Sequence, residues 1–302
     1  MKSRNDLDRR QLLLSGAAWA AAGLAGFSRR STAQSAAPRS RVVLIRHLDA
    51  VTGDGRPDGP VLHHMLNQAV RRLLEEENSP DAWRRLVGSA DVVGVKSNEW
   101  RRLPTPPELE NAIRDEVVAA GVAPKSVAVD DRGVRANPIF RRMLASARGA
   151  MINVRPMRTH HWSGLGTCLK NPIMFVPRPE DYHGDACASI GAFWKELGLR
   201  QKTKLNILVM LTPQFHGVGP HSFSERFIWP YKGLIVGTDP VAVDATGARI
   251  IEAKRREHFG EERPISPPPH HIRYAETRYE LGVSDPERID IVRIGPRDGS
   301  LI

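Results

Sequence analysis

Asp91-Val92-Val93-Gly94-Val95-Lys96 is a short apolar run rich in β-branched residues and reads as a strand. Thr105-Pro106-Pro107-Glu108 then opens a helix, with a capping hydroxyl and prolines in the first turn. That helix runs to Ala120, and Gly121 stops it. Ser126–Val129 reads as the next strand, Pro138–Ala147 as a helix, and Ala150–Val154 as a third strand. Strands separated by helices predict an α/β fold: a mostly parallel central sheet with helices on both faces.

The same alternation extends outward. Val42–Arg46 reads as a strand. Val61, Leu62, Met65, Leu66, Ala69, Val70, Leu73 and Leu74 recur at helical spacing over Val61–Glu77. Ser79-Pro80-Asp81 opens a short helix through Leu86. Toward the C-terminus, Ala186–Leu197 reads as a helix closed by Gly198, and Leu205–Leu211 and Leu234–Val236 as strands. Asp239-Pro240 begins a helix through about Glu257. Pro267-Pro268-Pro269 marks a loop, His271–Leu281 a helix and Ile289–Ile294 the last strand. Residues 155–232 are less regular and rich in His and Gly, so they are expected to form an inserted lobe. Residues 41–302 read as a single domain after a linker at 34–40.

The first 33 residues read as an address rather than fold. Arg9 and Arg10 precede a modest hydrophobic stretch from Leu12 to Phe27, and small residues Ser31-Thr32-Ala33 follow. That stretch is shorter than the ~20 apolar residues that span a bilayer. The pattern resembles a twin-arginine signal cleaved near Ala33, which implies passage through the Tat translocon, a periplasmic location and no stable membrane span after cleavage. An ordinary secretory signal or an uncleaved anchor is the competing reading.

The chain's 44 Lys+Arg and 34 Asp+Glu give a net charge of +10, which first suggests nucleic acid. The address carries six of the basic residues and two of the acidic ones, so its removal leaves +6. No basic stripe with interleaved aromatics appears, so nucleic acid is not an expected partner. Two cysteines exclude a disulfide scaffold. Cys168 and Cys187 can pair in an oxidising compartment or stand as two thiols, and two thiolates fall short of an iron–sulfur cluster.

Chemistry is expected where strands end, because ligands in open α/β sheets bind at the C-terminal ends. Lys96, Asn98 and Glu99 follow one strand; Asp130 and Asp131 follow the next. The two carboxylates suit a hard cation or acid–base work, and equally a plain turn. The richest segment runs from Asn153 to Pro172. Gly164 and Gly166 allow close backbone approach, and with Thr167 and Lys170 they form a candidate cradle for phosphate or carboxylate. His160 is the candidate proton carrier there. Five of the eleven histidines (His160, His161, His183, His216, His221) fall in this middle region, so a metal ion held by His161, His216 and Asp130 is a candidate. Asp239 suits a helix cap, with Pro240 at the first helical position. Asp244, on an apolar turn, is either buried and paired or faces the site.

Three ordered motifs resemble the family known as domain of unknown function 362, over roughly residues 91–295. Val93-Gly94-Val95-Lys96-Ser97-Asn98 stands where that family usually reads I-K-P-N. Ile152-Asn153-Val154-Arg155-Pro156-Met157-Arg158-Thr159-His160 and the later Lys170-Asn171 match its I-N-V-P-K-L-K-T-H and K-N. Gly237-Thr238-Asp239-Pro240-Val241-Ala242-Val243-Asp244 follows its S-T-D-P-V-A-V-D. The resemblance implies a shared site of Lys96, Asn98, Thr159, His160, Lys170, Asn171, Asp239 and Asp244, but no reaction. Ser97 replaces the family's proline. Many relatives carry a cysteine-rich ferredoxin-like module that this chain lacks, so no iron–sulfur cluster is carried over. The expected function is binding of an anionic small molecule or metal-containing cofactor at the strand ends, as a periplasmic enzyme or as a non-catalytic ligand-binding or cofactor-maturation protein.

Overall fold

The computed structural model describes residues 39–217 and 223–302. The signal and most of the linker lie outside the described residues, as does His221.

In chain order the strands are β1 (Ser40–Arg46), β2 (Val92–Lys96), β3 (Val127–Asp130), β4 (Gly149–His160), β5 (Gly164–Gly166), β6 (Thr203–Gln214), β7 (Gly233–Gly237) and β8 (Ile289–Ile294). The helices are α1 (Gly59–Leu74), α2 (Ser79–Leu86), α3 (Pro107–Ala119), α4 (Pro138–Ala145), α5 (Gly184–Cys187), α6 (Ile190–Glu196), α7 (Leu199–Lys202), α8 (Pro240–Phe259) and α9 (His270–Thr277). The strands form one sheet in the order β3-β2-β4-β6-β7-β1-β8, with β5 folded back on β4. β7 runs antiparallel to both neighbours, β6 and β1, and β5 antiparallel to β4; the remaining pairs are parallel. The expected α/β architecture is therefore present.

Successive strand residues point to opposite faces, and the two cores follow that period. Val43 and Ile45 of β1 pack with α1, α2 and α3 on one face. Val42 and Leu44 pack with α4, α6, α8 and α9 on the other. On β2, Val93 and Val95 join the first face, which leaves Gly94 and Lys96 to the second; Gly94 lies so close to Phe140 that an added Cβ would sit 2.7 Å from its ring. On β4, Ile152 and Val154 join the first face and Met151 and Met157 the second. Asn153 and Arg155 share the parity of Met151. Lys96, Asn153 and Arg155 thus gather on the α4–α8 face.

Residues 155–232, expected as a lobe, contribute more to the sheet than that. β4 runs on to His160, all twelve of its residues are buried, and β6 pairs with it at the sheet's centre. Arg155, Arg158 and His160 read as loop composition, yet they are the buried end of a central strand. The short helices between Asn171 and Lys202 do cover this end of the second face. Among the described residues no helix is long and apolar enough to cross a membrane.

Candidate functional site

A cavity of about 320 Å³ opens at the C-terminal ends of β2, β3 and β4. Its lining includes Asn98, Trp100, Asp131, Arg155, Arg158, His160, Trp162, Lys170, Asn171 and His183. Four cationic side chains, Lys96, Arg155, Arg158 and Lys170, are buried around it. Asp131 is the one carboxylate among the described lining residues.

Lys96 is fully buried and pairs with Asp131 at 2.5 Å; it also donates to the Ser97 carbonyl. Lys96 stands behind Asp131 rather than lining the cavity. Burial pushes its pKa down to about 8, against the pull of Asp131. Burial alone would raise Asp131, but Lys96 and the Glu99 amide outweigh it and hold the carboxylate below its ordinary value.

The other three cations have no ion-pair partner among the described residues. Arg155 reaches only the Thr167 carbonyl, at 3.5 Å, and its Nε is unpaired. Arg158 has unpaired Nε and Nη1 and lies 4.2 Å over the Trp100 ring. Lys170 donates to Cys187 Sγ at 3.5 Å. Desolvation lowers all three pKa values, Lys170 to about 8 and Arg158 well below its ordinary value. Unpaired buried donors on charged groups are costly, so this cluster is built at the expense of stability.

His160 accepts the Trp162 amide at Nδ1, 3.2 Å, so its proton sits on Nε2. Burial, then Lys170 and the two arginines, push its pKa far down. With its pKa lowered in this way, His160 stands at the cavity as a neutral hydrogen-bond donor. His183, stacked on Trp162 at 3.9 Å, is pushed down to about 4 by burial and Lys170. His161 stacks on His160 and leans on Trp162, which is 45% exposed at the rim.

Asparagine amides fix the floor. Asn171 Nδ2 reaches the carbonyls of Lys96 and Val154 and Asn153 Oδ1. Asn153 in turn donates to the Cys168 carbonyl and Asn206 Oδ1. This net ties β2, β4, β6 and the loop after β5 into one frame, which pins Lys170 beside the cavity.

The remaining expected residues sit elsewhere. The loop at 167–169 does cradle a carboxylate, but it is the chain's own: Asp244 accepts from the Cys168 and Leu169 amides at 2.9 and 2.8 Å. Thr167 is buried against His271, 3.2 Å away. Gly166 is needed because an added Cβ would sit 2.9 Å from Arg155 Nη2; Gly164, at φ +70°, abuts the Pro267 carbonyl. These four residues shape the cavity wall without lining it. Asp239 caps α8 through the Val241 and Ala242 amides and also accepts from Ser40 Oγ and the Val283 amide. Asp239 follows Gly237, which shares the register row of Lys96 but lies three strands across the sheet, so Asp239 is outside the cavity lining.

Thr159 points to a separate cavity with His216, whose Nδ1 meets Arg255 at 2.9 Å. Asp130 closes a turn by accepting from the Gly133 amide and Asn137. Among the described residues no three His, Cys, Asp or Glu side chains are placed to hold a metal ion. Cys168 and Cys187 are both free and buried.

Sequence reasoning underweighted Arg155, Arg158 and Asp131, and missed Trp100, Trp162 and His183 as cavity residues. Strand parity was the available signal, since Arg155 follows Asn153 on one face of β4.

A mostly parallel α/β sheet with a buried cationic cavity at its strand ends thus defines the class. The family model for Domain of unknown function (DUF362) matches residues 54–249, and the chain belongs to that family. No curated protein and no solved structure matches it.

Proposed function

We propose that this chain is an exported protein that binds a small anionic molecule in the cavity between Arg155, Arg158, Lys170 and His160. The observation that carries the reading is the imbalance of buried charge: Arg155, Arg158 and Lys170 have no carboxylate partner among the described residues, and Lys96 consumes the one at hand, Asp131. A bound carboxylate or phosphate would supply the missing partner in a low-dielectric setting, where charge-assisted hydrogen bonds are strongest. Neutral His160 and Asn98 add donors without adding charge. A positively charged wall repels a metal cation, so the anion is favoured over a metal-containing cofactor. Export rests on Arg9, Arg10, the stretch from Leu12 to Phe27 and the small residues before Ala33; the mature protein would then act in the periplasm.

The test is a thermal-shift series with phosphate, sulfate and small mono- and dicarboxylates against sodium chloride of equal ionic strength. A ligand at a hundred times its Kd adds about 2.7 kcal/mol to stability. At least one anion is expected to raise Tm well beyond the chloride control. A flat response to every anion would overturn the reading.

A further inference from the structure

We infer that Lys170 is a nucleophile that forms an imine with an anionic carbonyl compound of the 2-oxo acid class. The inference rests on the anion-binding reading and deepens it by naming a substrate class and a reaction.

Four observations on Lys170 support it. It is the one lysine among the described residues lining the cavity. Its side chain is buried and has no carboxylate partner; its hydrogen bond goes to Cys187 Sγ. Burial raises the Cys187 thiol pKa, so that neighbour does not act as a fixed counter-charge. Arg155 and Arg158 share the cavity wall, where they can hold a carboxylate while the adjoining carbonyl meets Nζ. A lysine desolvated beside other cations carries more free amine near neutral pH than a solvated one, and its pKa of about 8 agrees. Lys96 provides the internal contrast. It is equally buried and has the same lowered pKa, but it is paired with Asp131 and kept off the cavity wall.

The step balances without a cofactor. The neutral Lys170 amine attacks the carbonyl carbon, and one amine proton moves to the oxygen to give a carbinolamine. The hydroxyl leaves as water with the second amine proton, and a C=N bond remains. His160, with its proton on Nε2, and neutral His183 stand in the same cavity as hydrogen-bond partners for the departing hydroxyl. The carboxylate stays on the arginines throughout. An imine there is an electron sink adjacent to that carboxylate, the arrangement that proton abstraction or carbon–carbon bond chemistry requires.

The experiment uses pyruvate, the smallest 2-oxo acid, as probe. Purified protein is titrated with pyruvate by calorimetry, then treated with pyruvate and borohydride near pH 8 and analysed by intact mass and peptide mapping. The expected result is saturable binding and one reduced pyruvyl group on Lys170, absent when borohydride or pyruvate is omitted. Lys170→Arg should lose the adduct, and Lys96 should remain unlabelled in the native protein. Because mapping is done on the native protein, the result does not depend on that variant folding. Pyruvate binding without an adduct, or labelling spread over surface lysines, would overturn the imine and leave the anion site standing. Phosphate binding without pyruvate binding would do the same. Binding of neither would overturn both.

Discussion

Lys96 and Asp131 form a buried ion pair at 2.5 Å, and only Asp131 of the two faces the cavity. The acid therefore neutralises the cation behind it and opposes any anion in front. Asp131→Asn should act in two directions. Breaking a buried pair by removing one partner costs about 3–5 kcal/mol, so the urea midpoint should fall at neutral pH. The loss should shrink at alkaline pH, where Lys96 is already neutral. Anion affinity should rise, because a carboxylate no longer faces the ligand. A variant with an unchanged midpoint and weaker binding would contradict this role.

Arg158 shows the opposite balance. It has unpaired nitrogens and no ion pair among the described residues, and it is buried. Arg158→Met removes that desolvated charge while filling similar space. Ligand-free stability should hold or increase, as when buried charges give way to apolar residues, while anion affinity should fall at least tenfold, about 1.4 kcal/mol. Urea melts and calorimetry on the same preparation check both halves.

The lysines set a pH window. Lys96 and Lys170 have folded pKa values of about 8, below the ordinary 10.5. Between those limits the unfolded chain binds more protons than the folded one, so ligand-free stability rises with pH across the window. Anion binding gains from the charged form of Lys170, which lines the cavity, and should weaken over the same range. Opposite slopes of ligand-free Tm and of affinity between pH 8 and 10 are expected; parallel slopes would contradict the assignment.

Asp244 is the wall's fastener. Burial raises its pKa to about 7, and its two oxygens take the Cys168 and Leu169 amides. In Asp244→Asn one of those amides meets an NH₂ group instead of an acceptor. A buried donor left unsatisfied costs about 1–3 kcal/mol. The midpoint should drop by that amount, and anion affinity should fall because Lys170 follows this loop. Full stability in the variant would refute the bracing role.

Export has its own test. Replacing Arg9 and Arg10 by lysine keeps the charge but removes the paired arginines. The precursor should then accumulate in the cytoplasm; unchanged periplasmic delivery would contradict twin-arginine export.

The order of strands and helices was largely legible. Apolar periodicity marks most of α1, the Ser79-Pro80-Asp81 start marks α2, the Thr105–Glu108 start marks α3, and β8 matches residue for residue. β7 was legible as a strand but not as the reversed one, because direction is set by its connections and not by Leu234–Val236. The tail of β4 was hidden for a physical reason. Local composition equates Arg155, Arg158 and His160 with solvent, whereas here the fold buries them together. The same blindness affected the site. Lys96, Asn98, His160, Lys170 and Asn171 do converge, but Thr167, Asp239 and Asp244 are spent on loops and caps. From spacing alone, an aspartate that holds a backbone amide cannot be told from one that meets a ligand.

The most direct measurement is a calorimetric titration of inorganic phosphate into the purified protein and into Arg158→Met at low salt near neutral pH. The account predicts saturable one-site binding in the native protein, weakened at least tenfold in the variant. Binding of equal strength in both, or none in a native protein that also ignores small carboxylates, would contradict a cavity built for an anion.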